Sequence, residues 1–138
     1  CRFKAAVVTA GMANAFLNTA ARPEMESGVF GELVPDYAKN KEQGLKDRSV
    51  VFWADQLCKT TPLLIMHGSA DWRVLPEESL ELVGQLYAAK HPLRFILFEG
   101  ADHGIREWRD ERFVQTKRHF DYYLRDGNPL PMMEKHGK

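Results

Sequence analysis

The chain has 138 residues, with 19 Lys and Arg balanced by 19 Asp and Glu, so its formal net charge is zero. That length allows one domain with a real core and not two. The balance removes the electrostatic case for nucleic acid, which needs a basic excess or a basic face. No apolar run approaches the ~20 residues of a membrane helix.

Cys1-Arg2-Phe3-Lys4 has no initiator methionine and does not resemble a signal peptide, so it reads as the middle of a longer protein. The cellular compartment is therefore not readable. Ala5 to Val8 is a short apolar run closed by Thr9-Ala10-Gly11, the pattern of a buried parallel strand ending in a turn. Residues 12–47 are punctuated by Pro23, Gly28, Gly31, Pro35 and Gly44, which predicts loops and short helices that contribute little core. Arg48 to Leu57 fits one or two helical turns. Lys59-Thr60-Thr61-Pro62 then breaks the pattern.

Leu63 to Met66 is continuously apolar, as expected of a strand buried on both faces. Pro76-Glu77-Glu78 is a helix start: proline suits the first helical position and acids suit the positive end of the dipole. Leu80, Leu82, Val83, Leu86, Tyr87 and Ala89 predict one broad apolar face, ending near Lys90 before His91-Pro92. Arg94 to Phe98 is a third strand. Asp110 to Leu124 is a last helix, with Phe113, Phe120, Tyr123 and Leu124 as expected core contacts. Asp126-Gly127-Asn128-Pro129 stops it, and 128–138 is expected to fray. Alternating strands and helices give a parallel sheet with helices packed on it. Cys1 and Cys58 allow a disulfide that nothing in the sequence supports; they are read as two free thiols, with no metal-ligand spacing.

Two segments carry chemistry. The second strand runs into His67-Gly68-Ser69-Ala70-Asp71-Trp72-Arg73-Val74, and the third into Gly100-Ala101-Asp102-His103-Gly104. An acid and then a histidine, on loops after successive strands, are the acid and base of an α/β-hydrolase triad. These segments resemble the C-terminal part of a prolyl-oligopeptidase-family serine peptidase, and Arg2 to Val8 resembles the strand after that family's nucleophile helix. The resemblance covers nearly the whole chain and is strongest over 62–124. It implies a partial α/β-hydrolase fold, three-layer α/β/α with a mostly parallel sheet, in which 1–138 is a C-terminal fragment.

The same resemblance implies that Asp71 is the triad acid, His103 the base, and Val74 a wall of the pocket for the substrate side chain. Peptide bonds would be cleaved, with no metal or organic cofactor; small esters are the alternative substrates, and a non-catalytic hydrolase-like fragment is a further one. Gly68 and Gly104 would allow tight turns at the strand ends. The nucleophile is missing: Ser27, Ser49, Ser69 and Ser79 all lack the Gly-x-Ser-x-Gly elbow. The serine, both halves of the oxyanion hole and any propeller domain would lie upstream. The chain alone is therefore expected to be inactive, and its open sheet edge to associate.

Other residues have plainer readings. Asp102 is a rival acid, but its position beside His103 favours a turn role. His67 reads as a packed, hydrogen-bonded histidine, His91 as a helix-end residue, His119 as a helix-face residue and His136 as part of the tail. Trp72 and Trp108 would pack at a core or rim. Arg48 and Arg73 could meet a substrate carboxylate, with a surface salt bridge as the default role. The charges from Arg106 to Arg112 read as a solvated helix start.

Overall fold

The structure is a computed structural model that describes residues 1–137. Three strands, β1 (Ala6–Thr9), β2 (Leu63–Gly68) and β3 (Leu93–Phe98), form a parallel sheet in the order β1-β2-β3. Ala6 pairs with Leu63 and Leu63 with Leu93, so the strands run in step towards one carboxyl edge. The continuous apolar run of β2 has its physical reason in this order. As the central strand it is covered on both faces, and Leu64, Ile65, Met66 and His67 are all buried.

Four longer helices follow: α1 (Ala15–Ala21), α2 (Tyr37–Lys46), α3 (Pro76–Ala88) and α4 (Arg109–Phe120). On one side of the sheet Ile65 packs with Ala13, Val51, Ala54, Leu82 and Leu86. On the other, Leu64 and Met66 pack with Phe98, Ala101 and Ile105. The partial α/β-hydrolase architecture expected from the sequence is the one observed. The helical turns expected in 48–57 are 3-10 turns at Val50–Phe52 and Ala54–Gln56. Among the described residues no helix is long and apolar enough to cross a membrane.

Four expectations are corrected. Residues 12–47 are largely helical and build a core of their own, in which Ala15, Phe30, Val34, Tyr37 and Leu45 are buried together. Of the Gly and Pro residues that suggested loops, Pro23, Gly28, Gly31 and Gly44 are absorbed by helix geometry, and Pro35 stays in the turn before α2. Pro23 opens a helical segment that runs through Pro23–Met25, Glu26–Phe30 and Gly31–Leu33, and Gly44 gives α2 room to approach Val34.

The apolar face of α3 is narrower than expected: Leu82 and Leu86 are buried, but Leu80 and Tyr87 are exposed. On α4 and the turn after it, Phe113 and Leu124 are exposed and Phe120 and Tyr123 half-buried. The buried residue there is His119, whose Nε2 is 3.2 Å from the Pro62 carbonyl oxygen.

Cys1 and Cys58 are not free thiols but a disulfide, with Cα atoms 5.8 Å apart. The parallel pairing of β1 with β2 brings the two lead-in segments side by side, with the Ala6 N–H on the Pro62 carbonyl and the Thr61 hydroxyl on the Phe3 carbonyl. Chain spacing alone does not reveal that proximity. The tail has no regular secondary structure up to Gly137, although Lys90 pairs with Glu134 at 2.6 Å; Lys138 lies outside the described residues.

Candidate active site

The site lies where β2 and β3 end, the edge at which open α/β sheets bind ligands. From β2 the chain turns through Ser69 and Ala70, whose N–H groups donate to the Phe98 and Ala101 carbonyls of the neighbouring strand and loop. Asp71 follows and is 3% exposed. Its Oδ1 accepts the N–H groups of Arg73 at 2.8 Å and Val74 at 3.1 Å, closing a short loop around the carboxylate. Its Oδ2 lies 2.8 Å from His103 Nδ1 and 3.1 Å from His67 Nε2. The structure thus brings Asp71 and His103 together from two loops, with Val74 on the Asp71 loop and its N–H on the carboxylate.

Burial alone would push the Asp71 carboxyl up. The hydrogen bond from His103, those from the Val74 and Arg73 N–H groups, and the charge of His103 outweigh it and hold the group below its ordinary value. Asp71 is therefore a carboxylate and can only accept, so the His103 proton between them sits on Nδ1. In the neutral ring that leaves the His103 Nε2 lone pair to take a proton. The His103 side chain is 38% exposed, and its Nε2 has no hydrogen-bond partner among the described residues.

The loop carrying His103 is tied down from several sides. Asp102, the rival acid, accepts the Gly104 N–H at 2.8 Å and so makes the local turn expected of it. Arg112, within the charged start of α4, donates to the Gly104 carbonyl at 2.7 Å. Ile105 is wholly buried with φ at +48°, a left-handed conformation that costs a β-branched residue roughly 1–3 kcal/mol.

Gly68 has a different role from the tight turn expected of it. Its φ is not in the left-handed region; instead, a Cβ there would collide with the Ala101 and Asp102 carbonyl oxygens. The missing side chain lets the His103 loop lie directly on the end of β2. Gly104 also lacks a positive φ, and a Cβ there would press on the Arg106 side chain at 3.1 Å.

Several buried polar groups behind the loop were not singled out by sequence. Glu78 Oε2, from the first turn of α3, accepts the Ala13 and Asn14 N–H groups at 3.0 and 2.9 Å. Asn14 caps α1, and Asn18 of α1 donates to the Arg73 carbonyl at 3.2 Å. Burial raises the Glu78 carboxyl above its ordinary value, against the lowering effect of hydrogen bonds from Asn14, Asn18 and Ala13. These partners lie more than fifty residues apart in sequence, and no local pattern announces them.

The remaining residues fall around this centre. Trp72 is exposed, with the Arg22 and Arg73 guanidinium groups 5.3 and 5.5 Å from its ring. Trp108 donates to the Glu99 carbonyl and packs near Phe98. Arg48 donates to the Gly44 carbonyl of α2, His91 is buried against the Cys58 and Pro92 carbonyls, and His136 bonds within the tail. Among the described residues no three His, Cys, Asp or Glu side chains are grouped to hold a metal ion.

A parallel sheet with helices on its faces, and an acid and a histidine meeting at its carboxyl edge, define the α/β-hydrolase class. Within it, the sequence model of the Prolyl oligopeptidase family matches residues 1–128, and the chain belongs to that family. A curated relative, dipeptidyl peptidase family member 6 of Caenorhabditis elegans, is 30% identical over 82 residues, covering 59% of this chain and 10% of the relative. Among solved structures, the acylaminoacyl peptidase of Pyrococcus horikoshii superposes with a TM-score of 0.76 at 20% identity, covering 95% of this chain and 22% of that one. Dipeptidyl peptidase 4 of Porphyromonas gingivalis gives 0.66 at 25% identity, over 86% of this chain and 16% of that one. The chain therefore spans less than a quarter of the length of each of these proteins.

Proposed function

We propose that this chain supplies the acid and the base of a serine peptidase, and that the nucleophilic serine and its oxyanion hole come from parts of the protein upstream of residue 1. The observation that carries the reading is the 2.8 Å bond between Asp71 Oδ2 and His103 Nδ1, with Asp71 buried and its other oxygen held by two backbone amides. In this reading Asp71 fixes the ring of His103 and stabilises the imidazolium that forms. His103 Nε2 removes the serine hydroxyl proton as oxygen attacks the scissile carbonyl, then delivers it to the departing amine. Water repeats the cycle to release the acyl group. Val74 forms part of the wall that receives the substrate side chain.

Family membership and the peptidase names of the relatives support a peptide substrate. No step calls for a metal or organic cofactor. The test is peptide turnover by the full-length protein and its Asp71→Asn and His103→Ala variants, beside the 138-residue chain alone. Turnover abolished in both variants and absent from the isolated chain is the expected result. Unchanged turnover in either variant, or turnover by the isolated chain, would refute the assignment. Hydrolysis of small esters with no cleavage of peptides would move the reading to a carboxylesterase with the same pair, and no hydrolysis at all to a non-catalytic scaffold.

A further inference from the structure

His67 is wholly buried at the end of β2, behind Asp71 and away from His103 in sequence. Both its ring nitrogens are used. Nδ1 lies 2.6 Å from the hydroxyl oxygen of Ser79, itself buried in the first turn of α3. Nε2 lies 3.1 Å from Asp71 Oδ2 and 2.9 Å from the Val74 carbonyl oxygen. An ionised carboxylate and a carbonyl can only accept, so Nε2 must carry a hydrogen. The Ser79 hydroxyl has no other hydrogen-bond partner among the described residues, so its hydrogen points to Nδ1, which is then bare. The tautomer follows from the chemistry of three neighbours.

We infer that His67 is the positioning residue of the acid: one Nε2–H, set in place by Ser79, holds Asp71 Oδ2 and the Val74 carbonyl together. The inference rests on the triad reading of Asp71 and His103. Its physical content lies in the bonds of the carboxylate. Oδ1 is fixed by two backbone amides, but among the described residues Oδ2 has only His67 and His103. Without His67, Oδ2 would be fixed by His103 alone, the ring it has to orient. The same N–H joins the acid to the backbone of Val74, so a shift of one is passed to the other. Through Ser79 both are anchored to the first turn of α3. Partners that orient the ligands of metal sites contribute about 10- to 100-fold to activity, and an effect of that order is expected here by the same physics.

The test has two arms. In the first, the full-length protein is labelled with 15N-histidine, and the nitrogen shifts of His67 are read without any variant and without need of a nucleophile. The expected spectrum has Nε2 protonated and Nδ1 bare. A proton on Nδ1, alone or together with one on Nε2, would overturn the inference.

The second arm compares His67→Gln, whose amide N–H can reach the place of Nε2–H, with His67→Asn, whose amide reaches only the place of Nδ1. His67→Gln is expected to stay within about 3-fold of wild-type kcat, and His67→Asn to fall by about 10- to 100-fold. A merely packed histidine would make the two variants equal, and equal losses overturn the inference. Should neither variant fold, the wild-type spectrum decides. The two readings fail separately: full activity in Asp71→Asn sinks the triad, whereas an inactive Asp71→Asn with a Nδ1–H tautomer at His67 sinks only the positioning role.

Discussion

The loops after β2 and β3 meet across Gly68, yet they hold their functional side chains in different ways. The Asp71 carboxylate is buried and takes four hydrogen bonds, two of them from its own loop. His103 is partly exposed, and among the described residues its side chain makes one hydrogen bond, to Asp71. The scaffold therefore fixes the Asp71 carboxylate, and the carboxylate holds the His103 ring. In the proposed triad the acid would be set from behind by its own loop and by His67, while His103 Nε2 is left to exchange a proton.

The largest test of that asymmetry is Asp71→Asn in the full-length protein. The amide presents a donor where His103 needs an acceptor, and kcat should fall by about 10⁴-fold. Because the pair acts as a unit, Asp71→Asn combined with His103→Ala should be little worse than His103→Ala alone. Losses that multiply would show the two residues acting independently.

Next comes the support of the acid loop from α1 and α3. Glu78→Ala leaves two buried N–H groups, those of Ala13 and Asn14, without an acceptor. It should cost about 3 kcal/mol of stability in chemical denaturation. A cost well under 1 kcal/mol would mean that water reaches this corner. Gly68→Ala attacks the contact between the loops, and about 1–3 kcal/mol is expected from the collision with two backbone carbonyls. If kcat is unaffected by Gly68→Ala, the close approach of the loops does not matter to the base.

The smallest effect separates the two buried acids by pH. Glu78 has its folded value raised above the ordinary 4.5, so its contribution to stability is full below that value and is lost as pH rises through the folded value. Asp71 has its folded value lowered below the ordinary 3.8, so its contribution is present above 3.8 and is lost as pH falls through the folded value. On acidification from neutrality, the Glu78 contribution should appear first and the Asp71 contribution disappear later. Glu78→Gln should flatten the pH dependence of unfolding above 4.5 and leave the acid limb in place.

The parts legible from sequence are those governed by local pattern. The unbroken apolar run before His67 marks a doubly covered strand, and Pro76-Glu77-Glu78 marks a helix start that the structure places at Pro76. The residues named for the site, Asp71 and His103, do meet in space, while their roles rest on the proposal above.

What stayed hidden depends on long-range partners. Cys1 and Cys58 are joined because two strands pair, not because of their spacing. Glu78 and His67 look like a helix acid and a packed histidine until Ala13, Asn14 and Asp71 are seen beside them. Phe113 and Leu124 have the spacing of core residues but are exposed on the outer side of α4 and its extension, so periodicity alone misjudged which face is covered.

The central claim is that this chain holds the acid and base for a serine located elsewhere in the protein. Reaction of the full-length protein with a fluorophosphonate, followed by mass mapping of the adduct, tests it most directly. One labelled serine outside residues 1–138 is expected, with labelling lost in His103→Ala. An adduct on Ser27, Ser49, Ser69 or Ser79, or labelling that persists at the wild-type rate in His103→Ala, would contradict it.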